Sequence, residues 1–170
     1  MQTERTLSRF ERTMQLWLSR LEPRNDEDMA RPPADGGWCI GQVCDHVLVA
    51  GAVILDQVQL CIDGEAEEVG FRWKPALICA YGSIPPMRIR VPRVPALEAA
   101  ARPATLTKSE ALAGFGAFAA RTRALVEPAA AAPRNLKRPH PIVGHFNAAQ
   151  WFRFNEMHLR HHLRQLARLR

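Results

Sequence analysis

The stretch "NAAQWFRFNEMHLRHHLRQLARLR", residues 147–170, reads as one amphipathic helix with an unusual flank. Asn147 and Gln150 stand at capping-box spacing, where each side chain can meet the other residue's backbone N–H. Phe152, Leu159, Leu163 and Leu166 form an apolar stripe at helical steps. Beside that stripe, His158 and His162 lie about 40° apart around the axis and one turn apart along it. Their ring nitrogens can therefore reach a common point, which is why i, i+4 histidines recur at metal sites. Trp151 and Asn155 sit above them on nearly the same line, and Gln165 sits below. His161 is turned about 100° from His162, toward Arg160, Arg164 and Arg168. It reads as a partly exposed surface residue, and the arginine face, which includes Arg153, as a solvated one.

A helix with one apolar stripe must bury it against something, and three further segments offer matching faces. In the first, Leu7, Phe10, Met14, Trp17, Leu18 and Leu21 recur at three- and four-residue steps before Pro23. The second, "WCIGQVCDHVLVAGAVILDQVQLCID", is apolar nearly all round, ends at Gly64, and is the expected central helix. The third opens on "TKSE", with Thr107 and Glu110 as a capping box. It then carries Leu112, Phe115, Phe118, Ala119, Thr122, Leu125 and Val126 to a stop before Pro128.

Between the second and third helices, Pro75, Pro85, Pro86, Pro92, Pro95 and Pro103 exclude one continuous helix. A short helix around Trp73–Tyr81 and extended proline-rich chain are expected there. Phe71, Trp73, Ile78, Tyr81, Ile84, Ile89 and Val91 make the segment too apolar for a solvated tether, so it reads as a crossover packed on the bundle. With no competing strand pattern, the expected fold is all-α. It is a four-helix bundle with a long Pro-rich crossover between helices 2 and 3, in one domain over residues 1–170.

The composition, 47% hydrophobic and 24% charged, excludes a disordered chain. The net charge of +6 is spread along the sequence without a dense cluster, which disfavours nucleic acid as a partner. Cys39, Cys44, Cys61 and Cys79 form no C-x-x-C pair, and three of them sit in apolar surroundings that suit free, core-packed thiols. The opening "MQTERTLSRFERT" is charged from its fourth residue, and the longest apolar run, "VLVAGAVIL", is nine residues. A reduced, cytoplasmic protein with no membrane partner is the expectation.

Two histidines do not complete a site. His46, alone in the most apolar helix, is the best third candidate, because burying an imidazole without a partner is costly. A metal ion would satisfy it; so would a hydrogen bond to a core carbonyl or hydroxyl, the reading in which no metal binds at all. Cys39 and Cys61 share nearly the same face as His46, with Gln57 between them, and the cysteines read as packing.

Two stretches resemble a known family. "GGWCIGQVCDHVLVAG" is similar to the second-helix signature of the DinB-like (YfiT-like) superfamily, a tryptophan followed eight residues later by a histidine. "HPIVGHFNAAQWFRFNEMHLRHHLRQLARL" resembles its closing signature, a His-Pro-x-x-Gly loop, a tryptophan, then H-x-x-x-H-x-x-Q. The resemblance implies a four-helix bundle, often dimeric, that holds one divalent metal through three histidines, here His46, His158 and His162. Zinc and nickel lead among the metals, with iron and copper next. Gln165 matches the family glutamine, an orienting partner for a ligand. His140 matches the loop histidine, whose role the sequence does not define. His145 has no counterpart, and Cys39 stands where a capping serine or threonine is common.

Three histidines leave a coordination position for water or substrate, which is the arrangement of catalytic rather than structural sites. The resemblance implies transfer of a low-molecular-weight thiol to an electrophile, both small molecules. A metal-dependent hydrolase and a non-catalytic, stress-related metal- or ligand-binding bundle are the alternatives. Hydrolysis lacks an evident general base: "HLRHH" has no glutamate between its paired histidines, Glu156 lies well round the helix, and Asp45 is far from His46 in angle.

Overall fold

The computed structural model describes residues 2–34, 36–84 and 95–169. Its elements run α1 (Gln2–Leu21), α2 (Asp26–Ala30), α3 (Ile40–Ile62), β1 (Glu67–Glu68), α4 (Trp73–Tyr81) and α5 (Pro95–Ala101). They continue with α6 (Lys108–Ala124), α7 (Val126–Ala131), β2 (Leu136–His140), β3 (Gly144–Phe146) and α8 (Ala148–Leu166). The proline-rich chain around Pro85, Pro86, Ile89, Val91 and Pro92 lies outside the described residues.

Helices α1, α8, α3 and α6 each pack on the next, and α6 closes the ring on α1. This is the expected all-α four-helix bundle. Helix α1 turns Phe10, Met14, Trp17 and Leu21 into the core. Leu18, expected on that stripe, sits at its edge and stays 37% exposed, while Thr3, Thr6 and Thr13 take buried places. Each fully buried large apolar side chain contributes roughly 1.5–3 kcal/mol, so this stripe is the main attraction between α1 and its neighbours. The indole Nε1 of Trp17 also donates to the Leu159 carbonyl of α8 at 3.1 Å. On the α6 side, Trp17 meets Phe115 and Phe10 meets Phe118, with ring centroids 5.2 and 5.4 Å apart.

Helix α3 is long and apolar enough, by length and composition, to cross a membrane. Here it is the central helix, covered by α8, α5 and α6. Its approach to α6 depends on two glycines. A Cβ on Gly51 would lie 2.7 Å from the Phe118 ring, and one on Gly114 would lie 2.5 Å from Leu48 Cδ1.

The capping pairs form as the sequence indicates. Thr107 Oγ1 accepts from Glu110 N while the Glu110 carboxylate accepts from Thr107 N, and Asn147 and Gln150 do the same for α8. At the start of α3, Cys39 has no side-chain oxygen to offer; Gln42 Oε1 turns back and accepts from Cys39 N at 3.1 Å. Helix α6 ends at Ala124, but a further short helix, α7, carries Pro128 in its first turn. Its missing N–H is no loss there, because first-turn amides have no intrahelical acceptor.

Two expectations need correction. A strand ladder does exist: β1, β2 and β3 form a small antiparallel sheet, with Glu67 opposite Lys137 and Arg138 opposite Phe146. Strands of two to five residues are too short for alternation to register in the sequence. The crossover aromatics are also not packed inward as a group. Helix α4 buries Pro75 and Cys79, four residues apart, and leaves Trp73 and Tyr81 facing out; Phe71, ahead of it, is exposed too.

Candidate metal centre

The α3–α8 seam brings the three predicted histidines together. The ligand-capable atoms of His46, His158 and His162 all lie within 4.8 Å of one another. Ring centroids are 4.5 Å apart for His46 and His162, 4.6 Å for His158 and His162, and 5.4 Å for His46 and His158. The i, i+4 pair on α8 meets the lone histidine of α3 because that central helix presents position 46 to α8 across the seam the two helices share.

The hydrogen bonds fix how these rings face each other. His46 Nδ1 lies 2.7 Å from the Ala100 carbonyl of α5, which can only accept, so Nδ1 carries the proton. His162 Nδ1 lies 2.9 Å from Gln165 Oε1 and donates to it. Both Nε2 atoms are then lone-pair acceptors, yet they face each other at 3.1 Å. Two lone pairs at that separation repel unless a proton or a metal cation lies between them. His158 makes no hydrogen bond among the described residues, and its ring leans on Phe154 as well as the other two histidines.

A proton is a poor solution at this point. Burial is the first cause that lowers the pKa of all three rings: His46 moves down, His162 falls to about 3, and His158 falls well below the usual histidine range. The mutual repulsion of the rings adds to this for His162 and His158. At neutral pH the trio is therefore three neutral imidazoles, the form that coordinates metal. Tetrahedral Zn–N bonds of about 2.0–2.1 Å would place two ligand nitrogens about 3.3 Å apart. The 3.1 Å Nε2–Nε2 separation is close to that. The donor set fits a divalent ion.

The surroundings were only partly readable beforehand. Trp38 covers His46 with ring centroids 4.8 Å apart, which gives the eight-residue Trp–His spacing a physical sense. Gln165 sits where an orienting partner belongs. The Ala100 carbonyl was missed: it is a backbone group, and an alanine in a proline-flanked segment carries no side-chain signal for it. His161 is half-exposed, as expected, and its ring stands nearly perpendicular to that of His162.

The remaining candidates fall outside the trio. His140 Nδ1 accepts from the backbone N–H groups of Ile142 and Val143 at 3.2 and 3.4 Å, so it ties the β2–β3 turn. His145 pairs with Glu67 across the small sheet at 3.4 Å. Asp45 Oδ2 accepts from Ala104 N, and Gln57 Oε1 accepts from Arg138 Nε. Cys39 and Cys61 are buried, and Cys61 Sγ lies 3.8 Å from the Phe146 carbonyl. Burial pushes the thiols of Cys44, Cys61 and Cys79 up to about 12, 11 and 11, so they are packing groups rather than nucleophiles.

A ring of four helices that gathers three neutral imidazoles at one seam defines a class: helical bundles with a histidine site able to hold a metal ion. The chain belongs to the DinB superfamily, whose family pattern it matches over residues 9–166. No curated protein and no solved structure matches it.

Proposed function

We propose that the protein binds one divalent metal ion through His46, His158 and His162 and uses it to transfer a small-molecule thiol to an electrophile. The observation that carries this reading is the pair of Nε2 lone pairs held face to face at 3.1 Å, with both Nδ1 protons already taken by carbonyl oxygens. A bound ion would supply Lewis acidity, lowering the pKa of a thiol that reached it. Around it, the Ala100 carbonyl and Gln165 fix the tautomers of His46 and His162, and Trp38 shields the His46 ring from water. Zinc or nickel suits three imidazoles best, with iron and copper as further choices.

Two features favour thiol transfer over hydrolysis. Both nearby carboxylates are engaged elsewhere: Glu156 is held by Arg153 and Arg160, and Asp45 caps Ala104 N. Neither is free to activate a water. The protein's own buried thiols with raised pKa are unsuited to act as nucleophiles, so a thiol would arrive as co-substrate.

A second reading, a metal-binding bundle without turnover, has one observation in its favour. Neither of the two grooves along α1 and α8, of about 490 and 480 Å³, is lined by a histidine of the trio. The test separates the two. Untagged protein is analysed for bound metal, then assayed for loss of free thiol with chloro-dinitrobenzene and a monothiol. Stoichiometric metal with metal-dependent thiol consumption supports the transferase. Metal without turnover leaves the binding bundle, and absence of metal after loading with zinc or nickel removes both.

A further inference from the structure

The arginines of α8 that read as a solvated face are instead one wall of a trough. Viewed alone, each helix carries scattered charges; packed together, α1 and α8 line them up on the side of α8 away from α3. The upper groove is lined by Arg9 and Arg12 of α1, Arg153 and Arg160 of α8, and Tyr81 at the end of α4. The lower one is lined by Arg20, Arg164 and Arg168. Both share Thr13, Leu16 and Arg160, so they form one continuous depression.

The charge there is far out of balance. Seven arginines and the single carboxylate of Glu156 line the trough, a net of +6 that equals the chain's whole formal surplus. Glu156 is engaged by the floor itself: Oε1 accepts from Arg160 Nε at 2.7 Å, and Oε2 accepts from Arg153 Nη1 at 2.5 Å and from Arg160 Nη2 at 3.4 Å. Among the described residues, Arg9, Arg12, Arg20, Arg164 and Arg168 make no ion pair.

The floor is built rather than incidental. Arg153 is only 7% exposed, and its one hydrogen bond among the described residues is to Glu156. Its other guanidinium donors make no hydrogen bond among the described residues, and the side chain lines the groove. It fits there because Gly82, at φ 67°, has no side chain: a Cβ would lie 2.4 Å from Arg153 Nη2. The Gly82 carbonyl in turn accepts from Arg160 Nη2. A buried cation with spare donors, flanked by cations that make no ion pair among the described residues, has the charge and donors that an oxyanion takes. Arginine forks match phosphoryl oxygens in geometry as well as charge.

We propose that the α1–α8 trough is a second binding site, separate from the histidine trio, for a small soluble ligand that carries several phosphoryl groups. Arg153 and Arg160 on the floor receive one group, and Arg9 and Arg12 on the wall receive the next. The recessed position of Arg153 favours a ligand that enters the trough over a flat lipid surface. A single aromatic, Tyr81, at the rim offers too little stacking surface for a nucleic-acid strand.

The test titrates sodium tripolyphosphate into the chelator-treated chain of residues 1–170, so that no metal ion competes for the polyphosphate, by calorimetry at fixed ionic strength, with sulfate as control. Saturable binding at least about tenfold tighter than sulfate is expected. The doubly substituted Arg9→Gln, Arg12→Gln variant, changed only at exposed wall positions, should weaken it by about tenfold or more with helicity unaltered. His158→Ala should leave it unchanged, which keeps this site distinct from the metal reading. Heats that follow ionic strength alone, equal affinity in the double variant, or binding confined to an oligothymidylate or to phosphatidylglycerol vesicles would each overturn the proposal.

Discussion

His162 Nδ1 donates to Gln165 Oε1 at 2.9 Å, three residues further along the same helix. This bond aims the opposite nitrogen of the ring at His46. Its removal should leave the fold intact and blunt the metal site. Gln165→Leu is expected to weaken zinc affinity about 10–100-fold, the usual effect of deleting a ligand's hydrogen-bond partner. Competition with a chelator of known affinity measures it; an unchanged constant would show that the amide orients nothing.

Metal binding should also show as stability. An ion that binds the folded trio and not the unfolded chain adds about 2.7 kcal/mol at a hundredfold excess over its dissociation constant. Zinc should therefore raise the melting temperature of the chelator-treated protein. The His158→Ala, His162→Ala pair should melt at one temperature with or without zinc. A zinc-induced rise that survives in that pair would move the binding site elsewhere.

The three histidines were legible because each stood out against its own helix. His158 and His162 stood out by their four-residue spacing, and His46 as the lone histidine of the most apolar helix. Capping pairs and apolar stripes were legible for the same reason, since they are local. What the sequence hid depends on which elements end up adjacent. The Ala100 carbonyl reaches His46 only because α5 packs on α3. The arginine trough exists only once α1 lies against α8. The sheet joins residues 67–68 to 136–140, and pairing across that distance leaves no periodic trace in strands so short.

Trp17 offers a test of how α1 is fixed. Its indole packs against Phe115 and donates to the Leu159 carbonyl. Trp17→Phe keeps most of the ring and loses the donor, so a cost of about 1 kcal/mol is expected. Trp17→Ala also opens a cavity and should cost about 3–5 kcal/mol. Denaturant unfolding distinguishes them, and equal losses for both variants would assign the whole effect to the hydrogen bond.

His140 makes the prediction that depends on pH. Half-buried among Phe146, Trp151 and Phe154, it accepts two turn amides at Nδ1, and partial burial lowers its pKa from 6.5 to about 4. Between those values the unfolded chain binds a proton that the folded chain does not. Stability must then rise with pH across the window. The contribution is complete above the unfolded value of 6.5 and is lost as pH falls toward 4, with a full span of about 3 kcal/mol. The metal-free histidine trio titrates in the same sense, so the wild-type slope has several sources. His140→Gln, which retains an acceptor for the turn but does not titrate, should flatten the slope of unfolding free energy against pH from 6.5 to 4.5 without abolishing it. Chelator-treated protein isolates the effect, and superimposable slopes for the two proteins would mean that protonation of His140 costs the fold nothing.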